Sequence, residues 1–156
     1  MIDEIIPFIK DDEEILWFYS TNYKYTKSTI KKLDLIPPIT DEERKNYNIV
    51  YMLTDKRWIQ KELLKELFEY IKNYSEEIVK RERDIIFIEL KDIKVWYIID
   101  TIGIYVDKAE YESNKPTYLG ADVPKNQKQN LIGTLKNLPH YDFKEGKYGA
   151  KIFYQT

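Results

Sequence analysis

Residues 56–80 carry the longest periodic pattern in the chain. Ile59, Leu63, Leu67, Ile71, Tyr74 and Ile78 recur at steps of four and three, Leu64 and Phe68 widen the stripe, and Lys61, Glu62, Lys65, Glu66, Glu69 and Lys72 fill the other side. Apolar positions at that spacing share one face of a 3.6-residue turn, so the pattern predicts a long amphipathic helix. Thr54 or Asp55 is placed to cap it. A second helix is predicted over 124–137, opened by Pro124, stopped by Pro139, and apolar at Leu131, Ile132, Leu135 and Leu138. Thr40 and Glu43, just after Pro37-Pro38, have capping-box spacing and predict a short helix from Asp41.

Between the two longer helices the pattern changes to short runs of β-branched and aromatic residues. Ile85–Leu90, Val95–Ile99 and Ile102–Val106 predict three strands, most simply an antiparallel meander over about 85–107. The middle run is apolar on both faces and should be central. Asp100-Thr101 is a poor two-residue hairpin turn, which leaves one long bent strand from Lys94 to Val106 as the rival reading. Further strands are predicted at Ile15–Tyr19, Ile49–Leu53 and Ala150–Tyr154. With no regular β-α-β alternation, the expected class is α+β: a mainly antiparallel sheet, meander plus C-terminal strand, with both helices packed on it.

Composition bounds the rest. At 156 residues, 43% apolar and 33% charged, the chain suits one globular domain over 1–156. There is no cysteine and a single histidine, His140. Those two facts exclude a disulfide scaffold, thiolate metal sites, a cysteine nucleophile and any mechanism needing two imidazoles, and they fit a cytoplasmic protein. Acids near the start do not resemble a secretory signal, and the most apolar stretch, Val95–Val106, is about half of the roughly 20 residues a membrane helix needs. The excess of Ile, Lys, Tyr and Asn points to an AT-rich genome.

Several residues invite chemistry, and each has a plainer explanation beside it. His140 and Asp142 are the candidates for a general base and its orienting carboxylate, because residues two apart in an extended segment share a face. The Gly-x-Ser-x-Gly setting of a serine nucleophile is absent, so a loop histidine after a helix stop explains the pair as well. Glu89, Asp100 and Asp107 fall near strand ends, as two-carboxylate chemistry requires, but a chain with 27 acids puts some there regardless. Five scattered glycines make no phosphate loop, although Gly120 before the second helix could approach an anion. No metal site and no cofactor are expected.

Two features point to binding instead. Residues 115–156 hold seven basic and three acidic side chains, with Lys125, Lys128, Lys136, Lys144, Lys147 and Lys151 interleaved with Tyr118, Tyr141, Tyr148 and Tyr154, a pattern open to nucleic acid. Arginine, the usual bidentate reader of phosphate, is missing from that segment. The other feature is an excess of aromatics, 14 Tyr, 6 Phe and 3 Trp, beside acids at Asp3, Glu4, Asp11, Asp12, Glu13 and Glu14. Acids speed encounter with a basic surface, and desolvated Trp and Tyr hold it. The expected function is therefore a non-catalytic protein-binding domain, of the inhibitor or immunity type, that occludes a basic partner through Asp11, Asp12, Glu13, Glu14, Trp17 and Tyr19. The alternatives are a small enzyme using carboxylates or His140, and a nucleic-acid-binding module.

Overall fold

The computed structural model describes residues 4–23, 42, 47–62, 74–107, 119–145 and 149–154. Among them are ten strands in two antiparallel sheets and one α-helix, a mixed α+β fold. The chain divides into two compact units, Met1–Phe87 and Ile88–Thr156.

In the first unit the sheet runs β1-β2-β3-β5-β4, from β1 (Ile15–Tyr23), β2 (Tyr47–Thr54), β3 (Arg57–Lys61), β4 (Val79–Glu82) and β5 (Ile85–Glu89). β2 is buried along nearly its whole length, which is why Ile49 to Leu53 read as a continuous apolar run and not as an alternation. On one face Ile5, Val50, Met52, Ile59, Ile85 and Phe87 form a core, with Phe8, Ile9 and Ile15 packed against it. The other face carries a stack of rings, Trp17 on Trp58 on Tyr51.

The helix expected over 56–80 is corrected at both ends. Arg57–Lys61 is β3, paired antiparallel to β2 with Leu53 opposite Trp58 and Val50 opposite Lys61, and Val79–Glu82 is β4. Residues 63–73 of that expected helix lie outside the described residues. The reason is visible at Thr54. Its Oγ1 accepts from the Lys56 and Arg57 backbone N–H groups, at 3.1 and 3.0 Å. Those are the bonds a helix cap makes, used here to close the tight turn between β2 and β3. Once that turn forms, Trp58, Ile59, Gln60 and Lys61 are buried on both faces, and two-residue alternation replaces the helical period. Of the short helix expected from Asp41, only Glu42 is described, in helical conformation.

The second unit holds a sheet in the order β8-β7-β6-β10-β9. Its members are β6 (Val95–Ile98), β7 (Ile102–Tyr105), β8 (Leu119–Ala121), β9 (Tyr141–Glu145) and β10 (Ala150–Tyr154), with α1 (Lys125–Lys136) between β8 and β9. β6 is central, as a strand apolar on both faces should be. α1 lies between Pro124 and Pro139 and buries Leu131 and Leu135. The three-strand meander is also corrected. β6 and β7 pair around a three-residue turn, Ile98 opposite Ile102, whereas β5 belongs to the first sheet. Leu90–Asp92 forms a 3-10 turn between β5 and β6, and no hairpin joins them.

Two glycines give opposite expectations. At Gly149 a Cβ would press on the Ile98 carbonyl oxygen and lie 2.6 Å from Ile99 Cγ1. Gly149→Ala should therefore cost about 1–3 kcal/mol in chemical denaturation. Gly133 sits in α1 with no atom of the described residues within 4 Å of such an atom. Gly133→Ala should stabilise by up to about 1 kcal/mol, since alanine loses less backbone entropy in a helix.

Candidate protein-binding site

The acidic segment 11–14 is held by backbone and side-chain bonds to the turn between β2 and β3. Glu13 N–H donates to the Lys10 carbonyl at 3.0 Å, and Lys10 N–H donates back to Glu13 Oε1 at 3.1 Å. Glu14 N–H donates to Asp55 Oδ1, and Asp55 N–H donates to the Glu14 carbonyl, both at 2.9 Å. These bonds fix where β1 begins.

The four acids are not equivalent. Asp11, Asp12 and Glu14 are exposed, and Asp12 makes a long surface ion pair with Lys56, 3.6 Å. Glu13 points inward. Its Oε2 accepts from Thr54 Oγ1 at 2.6 Å and Arg57 Nε at 2.8 Å, and its Oε1 accepts from Arg57 Nη2 at 2.9 Å. The same guanidinium donates to the Phe8 carbonyl and lies 5.0 Å from the Phe87 ring centroid. Burial pushes the Glu13 carboxyl up, but the bonds from Arg57, Thr54 and Lys10 and the Arg57 charge more than offset it and hold it below its ordinary range. Glu13 is thus an internal anchor of the turn.

The aromatic residues separate in the same way. Trp17 is only 7% exposed, its ring 6.0 Å from that of Trp58 and nearly parallel to it. Tyr19 is half-buried opposite Tyr51. Phe18, between them, takes the other face of the strand and is 47% exposed. Ile6 is exposed to a similar degree. Phe18 and Ile6 are thus the exposed large apolar side chains among the described residues, and Trp17 belongs to the core. Strand alternation is the signal that separates 17 and 19 from 18.

β1 is an outer strand of its sheet, with β2 on one side and no described strand on the other. The other sheet edges carry the usual protections. β4 has four residues and exposes Lys80, Arg81 and Glu82. β8 has three residues, and β9 exposes Asp142 and Lys144. β1 has nine residues, Ile15 to Tyr23, and not one is charged or proline. A bulge at Leu16 interrupts it near its start.

The remaining candidates are dispersed. His140 and Asp142 are both exposed, in the turn after α1 and on β9, with the His140 ring centroid 6.3 Å from that of Tyr154. Glu89 pairs with Lys91 at 3.1 Å, Asp100 lies in the turn between β6 and β7, and Asp107 follows β7. Gly120 sits in β8 opposite Gly103 and not at the start of α1. Lysines 94, 136, 144 and 151 lie over the rings of Tyr154, Phe143, Phe153 and Tyr97. These cation–π pairs account for part of the lysine and aromatic interleaving within the fold. Among the described residues no group of three or more His, Cys, Asp or Glu could hold a metal ion, and no helix is long and apolar enough to cross a membrane.

No protein-family model, curated protein or solved structure matches this chain.

Proposed function

We propose that the protein is a non-catalytic protein-binding domain, of the inhibitor or immunity type, that captures a partner of basic character along β1. The observation that carries this reading is the contrast between sheet edges among the described residues: three are short or charged, and β1 is long, uncharged, exposes Phe18 and follows an acidic turn. An open edge offers unpaired N–H and C=O groups to an incoming strand. Phe18 supplies apolar area, and Asp11, Asp12 and Glu14 attract positive charge before contact.

The test is selection of extended peptides from a displayed random library against the folded chain. Binders should be β-prone and rich in Lys or Arg. Phe18→Ala should weaken the best of them by about 2 kcal/mol, as loss of a central anchor does. Changing Asp11, Asp12 and Glu14 to Asn, Asn and Gln should slow association several-fold and flatten its salt dependence, with the off-rate little changed. All four side chains are exposed, so the melting temperature should not move. Binders indifferent to both variants would show that the edge is not the site.

A further inference from the structure

We propose that the face of the second sheet turned away from α1 is a platform for single-stranded RNA, with bases stacked on Tyr97 and Phe153 and phosphates held by Lys144 and Lys151. It belongs to the second unit and does not depend on what β1 binds. Register places it. Lys151 of β10 lies opposite Tyr97 of β6 and opposite Lys144 of β9, and Phe153 lies opposite Val95 and Asp142. Residues two apart in a strand share a face, so Tyr97, Lys151, Phe153, Lys144 and Asp142 occupy one side of the sheet. Phe143 and Ile152 take the other side, where Lys136 of α1 lies over the Phe143 ring, 4.3 Å from its centroid. Further along the first side Val95 and Tyr105 are buried. The open part is therefore confined to β9, β10 and the end of β6, where Lys144 and Asp142 are exposed and Tyr97, Lys151 and Phe153 are half-buried.

The chemistry on this side suits a chain of planar rings joined by negative charges. Lys144 and Lys151 face each other directly on adjacent strands, a like-charge pair that costs stability on its own. Among the described residues neither lysine is paired with a carboxylate. A phosphate between them turns the repulsion into attraction. Each lysine lies loosely over a ring, Lys151 at 5.6 Å from the Tyr97 centroid and Lys144 at 5.5 Å from that of Phe153. A cation over a partly exposed ring is held less strongly than a stacked base, so the ammonium groups can turn to phosphate and leave the ring faces to bases. Tyr97 and Phe153 are diagonal neighbours on adjacent strands, about 7–8 Å apart by backbone, so successive bases of one strand can reach both. A run of acidic residues would satisfy the lysines and leave both rings without a planar partner. Asp142, directly opposite Phe153, selects RNA: its carboxylate repels phosphate but accepts a hydrogen bond from a ribose 2′-hydroxyl, a donor that DNA lacks. Arginine, the bidentate reader of bases, is absent from this face, so stacking without sequence preference is expected.

Fluorescence anisotropy of the full chain with a labelled oligouridylate about ten nucleotides long, within the usual site size, tests this. Lys144→Gln with Lys151→Gln should weaken binding about ten-fold or more at low salt and reduce the slope of log affinity against log salt by about 1.4, two phosphate contacts at about 0.7 each. Tyr97→Leu and Phe153→Leu should each weaken it roughly five- to hundred-fold and leave that slope unchanged. Tyr97→Phe and Phe153→Tyr keep the rings and should bind as wild type does, which separates lost stacking from damaged folding. Lys125→Gln with Lys136→Gln removes the same charge from α1, on the far side of the sheet, and should have a much smaller effect. Oligothymidylate of equal length should bind several-fold more weakly than oligouridylate, and Asp142→Ala should abolish the difference. Equal losses from the two lysine pairs, or ring variants without effect, would mean diffuse attraction of a polyanion and overturn the platform. So would polyglutamate that displaces the label as well as unlabelled oligouridylate does at equal charge. Equal affinity of wild type for the two oligonucleotides overturns the assignment to RNA, and no binding at low salt overturns the proposal outright. Peptide capture at β1 is judged by its own variants and stands or falls apart from all of these outcomes.

Discussion

Arg57→Ala should cost about 3–5 kcal/mol of folding stability near neutral pH, because it strands the Glu13 carboxylate inside the protein. Glu13 accepts two bonds from the guanidinium and one from Thr54, and its side chain is fully enclosed. The arginine also donates to the Phe8 carbonyl at the end of the 3-10 turn Ile6–Phe8, so the N-terminal segment loses its tie as well. The pH dependence separates this account from a simple loss of packing. In wild type the Glu13 carboxyl is held below its ordinary range. Its stabilisation is present above the unfolded-state pKa and is lost as pH falls through the lower folded value. Without Arg57 the burial and the Thr54 and Lys10 bonds remain while the guanidinium's bonds and charge are gone, so the folded carboxyl binds its proton more tightly than in wild type. The variant should then lose less stability on acidification than wild type does. The deficit of Arg57→Ala should therefore shrink between pH 7 and pH 4 in urea titrations. Arg57→Lys keeps the charge but not the fork and should fall between. Replacing both partners, Glu13→Gln with Arg57→Met, should restore much of the loss. A deficit equal at both pH values would mean that Glu13 is not the cause.

That pair also shows where sequence reasoning stops. Glu13 and Arg57 are 44 positions apart, and nothing in either neighbourhood distinguishes Glu13 from the three exposed acids around it. The β2–β3 turn that joins them was hidden by a real ambiguity. Ile59, Leu63 and Leu67 satisfy a helical stripe, while Trp58, Gln60 and Glu62 satisfy a strand alternation, and pairing with β2 decides between them up to Lys61. Thr54 was legible as a side chain that would cap backbone N–H groups, but the groups it caps belong to a turn. In the second unit local rules carried further. Two prolines bracket α1, the double-sided apolar run 95–98 sits at the centre of its sheet, and Ala150–Tyr154 is a strand. β5 joins the first sheet between β3 and β4, and the two-residue turn Arg83-Asp84 that leads into it from β4 is a local link that a meander read over 85–107 leaves out. At the candidate site, an acidic turn beside an aromatic strand was legible. Strand parity, which buries Trp17 and exposes Phe18, is not reported by the aromatic excess itself.

Parity leads to the second large effect, at the centre of the ring stack. Trp58 is fully buried between Trp17 and Tyr51, with ring centroids at 6.0 and 6.1 Å and planes within 14° and 12° of parallel. Its Nε1–H donates to Gln60 Oε1 at 3.0 Å, and the Gln60 amide donates in turn to Glu62 Oε2 at 2.9 Å, a polar chain along one face of buried β3. Trp58→Ala should cost about 3–5 kcal/mol through the cavity it opens, and the loss of the donor to Gln60 adds to it. The conservative change separates the two causes. Trp58→Phe keeps a stacking ring but removes the N–H, and should still cost about 1–3 kcal/mol. Trp17 behaves differently, since its buried Nε1 has no hydrogen-bond partner among the described residues. Trp17→Phe removes an unsatisfied donor and should be close to neutral or mildly stabilising, while Trp17→Ala should be clearly destabilising. Phe18→Ala should stay within about 0.5 kcal/mol of wild type, as exposed positions do. The readout is denaturation followed by far-UV circular dichroism, because four of the five changes remove an indole and its fluorescence. If Trp17→Ala left stability unchanged and Phe18→Ala lowered it, the faces of β1 would be reversed, and the edge proposed for binding would be the wrong one.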